Sequence, residues 1–184
     1  EKIKQVIENR DVKIKPIWLM RQAGRYLPEF REIRKQNQDF IKLCLNSDLA
    51  SEITLQPIKR FDLDAAIIFS DILIIPYALG QEVNFVKGEG PILEKLNLKN
   101  VLNIKDEEFL NKLRPVYVAI VVTKKILRID KALISFVGAP WTLLVYMLNL
   151  KTNENKHNLV SFNKSQKNIE ELISKLIHVI NLHI

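Results

Sequence analysis

The stretch Ala65-Ala66-Ile67-Ile68-Phe69, followed directly by Ser70-Asp71, indicates the fold class of this chain. Its apolar part lacks the alternation of a half-exposed strand, which is typical of a strand that is covered on both faces. The runs Ile17–Met20 and Leu133–Val137 share these properties. We therefore predict buried strands of a parallel sheet at all three places.

Helical patterns separate and follow these strands. The first covers Asp48–Phe61, with Ser47 as its N-cap and Pro57 as a kink or break. The second covers Glu107–Arg128, and the third covers Ser165–Leu182. Alternation of strands and helices predicts an α/β fold. The apolar stripe of the second helix comprises Phe109, Leu113, Val116, Tyr117, Ile120 and Val121.

The C-terminal part of the sequence ends in an unusual way for an α/β protein. Residues 151–164 are polar and are predicted to form an exposed loop before the last helix. In this fold class a covering helix is normally followed by another strand within a few residues. No strand follows here, so we expect the chain to be a fragment of a larger fold.

Composition limits the class of protein and its partners. The 184 residues are 47% hydrophobic and 27% charged, which is enough apolar material for one globular domain and excludes a disordered chain. The net charge of +7 would favour nucleic acid, anionic lipid or an acidic small molecule. The lysines are scattered, however, and no basic stripe with interleaved aromatic residues occurs, so we expect no nucleic-acid partner.

Cellular location can be inferred from two further features. Cys44 is the only cysteine, which excludes an internal disulfide and fits a reducing compartment. The sequence contains neither a long apolar run nor a signal-peptide pattern. These features predict a cytoplasmic protein without a membrane partner.

The arginine turn, defined as residues 21–25, follows the first predicted strand. Arg21 and Arg25 lie four positions apart with Gly24 between them. Guanidinium groups bind carboxylates in bidentate fashion, so this arrangement predicts a site for an acidic ligand. The alternative is that both are solvated surface charges.

Polar residues also follow the other two predicted strands. Asp71 comes after Phe69-Ser70, and Tyr146 lies on the helix after the turn 138–142. Ligands collect at the carboxyl ends of parallel strands, so these turns should converge on one pocket. Asp71 as an ordinary helix-capping or turn residue, and Tyr146 as core filler, remain open alternatives. No histidine has a partner at metal-ligand spacing, so no metal site is predicted.

Together, several motifs in their order and spacing resemble the uroporphyrinogen decarboxylase family. They are the segment 20–32, Ile68-Phe69-Ser70-Asp71-Ile72-Leu73, Ala78-Leu79-Gly80, Gly88-Glu89-Gly90-Pro91 and Gly138-Ala139-Pro140-Trp141-Thr142-Leu143. The resemblance implies a (β/α)8 TIM barrel of which only the first three or so βα units are present. Residues 1–184 would then be a single incomplete domain, with residues 151–184 matching weakly.

The resemblance also implies a reaction and roles for the candidate residues. The family removes CO2 from the four acetate side chains of uroporphyrinogen, without metal or organic cofactor, and gives coproporphyrinogen. Arg21 and Arg25 match arginines that hold substrate carboxylates, and one of them is a candidate proton donor. Asp71 matches the aspartate that receives the pyrrole N–H groups, and Tyr146 matches a tyrosine near a reacting acetate. Full-length members are expected to be homodimers.

Two other interpretations remain open from the sequence. The chain could be a truncated or decayed product that keeps part of the site without catalysing the reaction. It could also be a basic module that uses the arginine turn to hold an anion or nucleic acid.

Overall fold

The computed structural model describes residues 1–10, 13–86, 88, 90–150 and 166–184. They form two compact units, Glu1–Ser70 with Pro115–Phe136 and Asp71–Arg114 with Val137–Ile184. The single domain expected over residues 1–184 stays a prediction. The described elements are α1 (Lys2–Asn9), α2 (Pro28–Gln36), α3 (Phe40–Cys44), α4 (Ser47–Phe61), β1 (Ala65–Ile67), α5 (Ile74–Ala78), β2 (Val83–Val86), β3 (Gly90–Leu93), α6 (Leu98–Asn103), α7 (Asp106–Ile126), β4 (Ala132–Ile134), α8 (Pro140–Met147) and α9 (Gln166–His183).

Strands β1 and β4 pair in parallel within the first unit, as the sequence predicted. Ala65 lies opposite Ala132, and the register continues to Ile67 opposite Ile134. Both strands are shorter than predicted at their carboxyl ends. Beyond β1 the Ile68 N–H still donates to the Ile134 carbonyl at 3.0 Å, and the next N–H, that of Phe69, donates to the side chain of Thr54 at 2.8 Å instead of to a further strand.

The predicted strand at Ile17–Met20 is wrong. The Ile17 carbonyl accepts from the Asp64 N–H at 2.8 Å, but the Ile17 N–H donates to the Asp64 carboxylate, also at 2.8 Å. The Leu19 N–H donates to the side chain of Gln22. Side chains therefore take the bonds that a neighbouring strand would make, and Met20 is 79% exposed rather than buried.

Helix α4 confirms the first helical prediction but differs at its start. The Asn46 side chain accepts a hydrogen bond from the Leu49 N–H at 3.1 Å, so Asn46 is the N-cap and Ser47 is the first helical residue. The prediction of Ser47 as N-cap is wrong because two good capping residues are adjacent. Pro57 lies inside the helix, which continues past it to Phe61.

Helix α4 connects the two sides of the core of the first unit. On one side Ile53 packs in a buried cluster with Leu27 and Phe30. On the other side Ala50 packs with Ile68. Each fully buried large aliphatic or aromatic side chain contributes about 1.5–3 kcal/mol. This packing fixes the carboxyl end of β1 against α4.

Helices α7 and α9 confirm the other two helical predictions within a few residues. On α7 the predicted stripe fails at Val121, which is 53% exposed. A helix has 3.6 residues per turn, so the buried line runs through Ala119 and Thr123 instead. The predicted loop at 151–164 lies outside the described residues. None of the helices in the described ranges has the length and apolar character needed to cross a bilayer.

In the second unit, β2 and β3 form an antiparallel hairpin with Val83 opposite Leu93. The buried Gln81 side chain donates to the carbonyls of Glu94, at 2.7 Å, and Met147, at 2.9 Å. Asn149 donates from its side chain to the Leu93 carbonyl at 2.9 Å. These bonds join the base of the hairpin to the end of α8.

Candidate functional site

The arginine turn exposes its two arginines and buries Gln22, one of the three residues between them. Arg21 and Arg25 are exposed, whereas Gln22 is 2% exposed. The turn closes with a hydrogen bond from the Leu27 N–H to the Gly24 carbonyl at 3.0 Å, and α2 begins at Pro28. The two arginine side chains are therefore accessible on a segment that is closed by a hydrogen bond and leads directly into α2.

Gln22 joins the arginine turn to β1. Its Nε2 donates to the Ala65 carbonyl at 2.9 Å, in a buried contact across 43 positions of sequence. Its Oε1 accepts from the Leu19 N–H at 3.3 Å. Sequence reasoning missed this residue, although a carboxamide between two charged residues at a predicted strand end was a usable signal.

The other end of the turn is held by local contacts. Arg31 on α2 donates to the carbonyls of Arg25, at 2.9 Å, and Tyr26, at 3.2 Å. The Tyr26 hydroxyl donates to the Gln22 carbonyl. Partial burial raises the pKa of Tyr26, so its hydroxyl remains protonated and able to donate. The Tyr26 ring also stacks on Phe61 with a centroid distance of 6.2 Å.

Besides Arg31, the guanidinium of Arg34 on α2 also interacts electrostatically with the arginine turn. Burial lowers the pKa of Arg34, and the positive charge of Arg25 lowers it further. Arg34 donates to the Gln38 carbonyl at 3.1 Å and lies 5.4 Å from the centroid of the Phe40 ring. Because like charges repel, an anion bound beside Arg25 would be stabilised by both groups.

Asp64 connects the segment before the arginine turn to the N-terminus. Besides the Ile17 N–H, its carboxylate binds the Lys2 Nζ at 2.9 Å. These contacts, the backbone N–H first and the ammonium second, hold the pKa of Asp64 below its usual range. The Asp64 carbonyl also accepts from the Ala132 N–H at 3.0 Å, so Asp64 contacts β4 in addition to Ile17 and Lys2.

Thr54 fixes the end of β1 that leads into the Ser70-Asp71 pair. Its hydroxyl donates to the Ala50 carbonyl at 2.6 Å and accepts from the Phe69 N–H at 2.8 Å. Thr54 is fully buried. In the described part of the chain, the buried Ser70 hydroxyl has no hydrogen-bond partner, so a polar group remains available at the end of this strand.

Asp71 lies in the second unit and is half-buried. Its Oδ1 accepts from the Leu73 N–H at 2.8 Å, which is the local turn geometry that the sequence left open as an alternative. The residues that follow it, from Leu73 to Pro76, are buried and mainly apolar. A carboxylate in these surroundings would be poorly screened by water.

Tyr146 also lies in the second unit, on α8, and its side chain is half-buried. The turn before this helix is tightly packed, because a Cβ added to Gly138 would lie 2.6 Å from the Leu143 Cδ2 and 3.1 Å from the Ile72 Cβ. Ile72 is the neighbour of Asp71 in sequence. The second unit therefore brings the turn before Tyr146 against the segment that carries Asp71.

The candidate residues thus divide between the two units. Arg21 and Arg25 belong to the first unit, and Asp71 and Tyr146 belong to the second. The convergence of all four on one pocket stays a prediction. Among the described residues, no three acidic, histidine or cysteine side chains come together as a metal site. The His178 ring nitrogen Nε2 lies 2.9 Å from the Asp106 carboxylate.

The comparisons with known proteins agree with these motifs. A family model described as uroporphyrinogen decarboxylase (URO-D) matches residues 1–184. The uroporphyrinogen decarboxylases of Brucella ovis and Brucella anthropi are each 46% identical over 147 residues, which is 80% of this chain and 43% of theirs. This chain therefore spans less than half the length of these curated relatives.

A solved structure extends the comparison to the fold. A methyltransferase from Methanosarcina mazei superimposes with a TM-score of 0.71 at 15% identity, over 97% of this chain and 52% of that protein. This likeness concerns the fold alone. It confirms the α/β class of the (β/α)8 barrel family that the sequence predicted, with about half of such a barrel present.

Proposed function

The chain belongs to the uroporphyrinogen decarboxylase family, and we propose that it carries the N-terminal part of a site for uroporphyrinogen. The proposed reaction removes CO2 from the four acetate side chains and gives coproporphyrinogen. Residues 1–184 are one incomplete domain in this proposal. The arginine turn is the observation that carries it, because Arg21 and Arg25 are exposed on either side of the buried Gln22.

In the proposed site the arginines bind acetate carboxylates. A guanidinium keeps its charge under all ordinary conditions, so it is suited to binding rather than to acting as a base. A charge-assisted hydrogen bond contributes about 1.5–3 kcal/mol. Burial first and the charge of Arg25 second lower the pKa of Arg34, which supports this role because an anion bound beside Arg25 would also favour the charged form of Arg34.

In the proposed chemistry, Asp71 accepts hydrogen bonds from the pyrrole N–H groups. A proton adds to a pyrrole carbon, and the ring becomes cationic. The bond to the carboxylate carbon then breaks, its electron pair moves into the ring, and CO2 leaves. Protonation of the remaining methylene gives a methyl group, and the proton that was added first leaves the ring carbon, so that the neutral pyrrole is restored and one proton has replaced CO2. A fixed, half-buried carboxylate would stabilise the cation that forms first.

Tyr146 is proposed to lie near a reacting acetate. The packing of Gly138 against Ile72 supports a common location for the turn before α8 and the segment of Asp71. We further propose that the complete enzyme uses no metal or organic cofactor and is a homodimer in the cytoplasm. The resemblance to the family supports these three points.

The binding role is tested by titrating the chain with uroporphyrin, the fluorescent oxidised form of the substrate. Arg25→Gln should weaken binding by about tenfold or more, since each tenfold corresponds to 1.4 kcal/mol. Arg114→Gln is the control, because Arg114 is an exposed arginine of α7 outside the motifs. Equal affinity in the three proteins, or preferential binding of nucleic acid, would contradict the proposal.

The catalytic role is tested under anaerobic conditions with uroporphyrinogen. Asp71→Asn keeps the shape of the side chain and removes its charge. We expect turnover to fall by about 100-fold or more, and uroporphyrin affinity to fall by the smaller factor of about tenfold that the loss of a charged hydrogen-bond acceptor causes. Turnover that is equal in the parent and the variant would exclude Asp71 from the reaction.

A further inference from the structure

We propose that Gln22 is a positioning residue for the carboxylate-binding arginines. Its buried carboxamide fixes the arginine turn to β1, so that Arg21 and Arg25 extend from one defined backbone position. The inference deepens the proposed function and rests on it for the nature of the ligand, a tetrapyrrole with several carboxylates.

The contacts of Gln22 use both halves of its side chain. The amide nitrogen donates to the Ala65 carbonyl at 2.9 Å, at the first residue of β1. The amide oxygen accepts from the Leu19 N–H at 3.3 Å, just before the turn. Because Gln22 is 2% exposed, water cannot replace either partner without opening the structure.

The chemistry of glutamine is specific to this position. Glutamate has the same length but, when ionised, offers no donor to the Ala65 carbonyl. Asparagine is one methylene shorter and cannot span the same distance. Methionine has a similar shape and neither a strong donor nor a strong acceptor. These substitutions therefore separate the hydrogen bonds from the volume of the side chain.

The position of Gln22 explains why its effect reaches both arginines. Arg21 is its immediate neighbour, and Arg25 follows through a segment closed at its far end by the Leu27 to Gly24 hydrogen bond. Arg31 and Tyr26 keep that segment compact. The side chain of Gln22 thus joins the arginine turn, and the segment up to Leu27 that follows it, to strand β1.

A fixed backbone matters because an arginine side chain is long and flexible. Two arginines that bind one ligand must be ordered together, and the ordering lowers affinity when the backbone beneath them also moves. We therefore expect loss of the Gln22 contacts to reduce carboxylate binding although both arginines remain.

The test compares Gln22→Met with Thr123→Val in the full 184-residue chain. Thr123 donates to the buried Ser51 hydroxyl at 3.0 Å between α7 and α4, so its variant also breaks a buried hydrogen bond of the first unit. Hydrogen exchange at the Leu27 N–H measures the order of the turn, and uroporphyrin titration measures binding. Gln22→Met should speed exchange at Leu27 by about tenfold and weaken uroporphyrin binding by about tenfold. Thr123→Val should leave uroporphyrin affinity unchanged and should not speed exchange at Leu27 more than at other amides of the first unit.

A second variant guards against a general loss of folding. Gln22→Glu at pH 8 has a carboxylate against the Ala65 carbonyl, so exchange at Leu27 should be fast. At pH 5 the buried acid is protonated and can donate again, so protection relative to the parent should return. Protection that does not depend on pH would exclude the donor bond to Ala65 as the cause.

The outcomes separate this inference from the proposed function. Unchanged exchange at Leu27 in Gln22→Met overturns the positioning role. If the parent binds uroporphyrin and Gln22→Met binds it equally well despite faster exchange at Leu27, the link between Gln22 and ligand binding is overturned. Faster exchange in a chain whose parent binds no uroporphyrin supports the positioning of the turn and refutes the proposed function.

Discussion

Replacing Gly138 by alanine should destabilise the second unit and shift the segment beside Asp71. The added Cβ would lie 2.6 Å from the Leu143 Cδ2 and 3.1 Å from the Ile72 Cβ. Carbon atoms in contact prefer about 3.5–4.0 Å, so the Leu143 methyl group would have to move by about 1 Å. Leu143 is fully buried and has little space into which it can move.

The magnitude follows from that displacement. A side chain forced about 30° away from its rotamer costs about 0.5–1.5 kcal/mol. Overpacking of a filled core costs about 1–3 kcal/mol in total. The contact with Ile72 adds backbone movement, because its Cβ is attached directly to the main chain. We therefore expect Gly138→Ala to lower the free energy of unfolding by about 1–3 kcal/mol.

Urea denaturation followed by circular dichroism measures this loss. Gly24→Ala is the control, because its nearest atom would be 3.7 Å away, and it should change stability by less than about 0.5 kcal/mol. In the Gly138→Ala background, Leu143→Ala removes the clashing methyl groups. The double variant should therefore lose less free energy of unfolding than the sum of the losses in the two single variants. Full additivity, or a Gly138→Ala midpoint equal to that of the parent, would refute the steric reasoning.

Two further predictions concern the first unit. Thr54→Val leaves the Phe69 N–H without its acceptor and should lower the free energy of unfolding by about 1–3 kcal/mol, whereas Thr54→Ser keeps the acceptor and should lose less; equal losses would exclude the hydrogen bond as the cause. The pKa of Asp64 is lowered in the folded chain, so its stabilisation is present above about pH 4 and is lost as the pH falls through the folded pKa. The stability difference between the parent and Asp64→Asn should therefore shrink from pH 7 to pH 3, and a difference that stays constant in urea titrations would contradict this.

The sequence predicted those elements whose determinants are local. Helices α4 and α7 follow from apolar periodicity, and β1 follows from an uninterrupted apolar run. The segment at Ile17 could not be predicted in this way, because its main bonding partner, Asp64, is 47 positions away. The choice of Asn46 over Ser47 as N-cap was also beyond the sequence, since both residue types cap helices well.

The candidate site shows the same division. Arg21, Arg25 and Asp71 could be proposed as site residues because charged residues after apolar runs are conspicuous, and this holds for the arginines although the run before them does not form a strand. Gln22 was missed, because its partner Ala65 is 43 positions away and the local signal is only a carboxamide between two arginines. Thr54 acts across 15 positions, through a strand end that sequence patterns locate only approximately. Side chains whose partners are distant in the sequence are therefore harder to recognise than charged residues that directly follow an apolar run.

The parallel pairing of β1 with β4 also has a consequence for synthesis on the ribosome. Ala132 must be made before it can pair with Ala65, 67 residues earlier in the chain. At about 5–20 residues per second, this delay lasts roughly 3–13 s. During that time one edge of an apolar strand is without its partner, and such edges associate readily with other chains. We therefore expect the nascent chain to be most prone to aggregation before β4 emerges, and slower translation of residues 68–131 should lower the yield of folded protein.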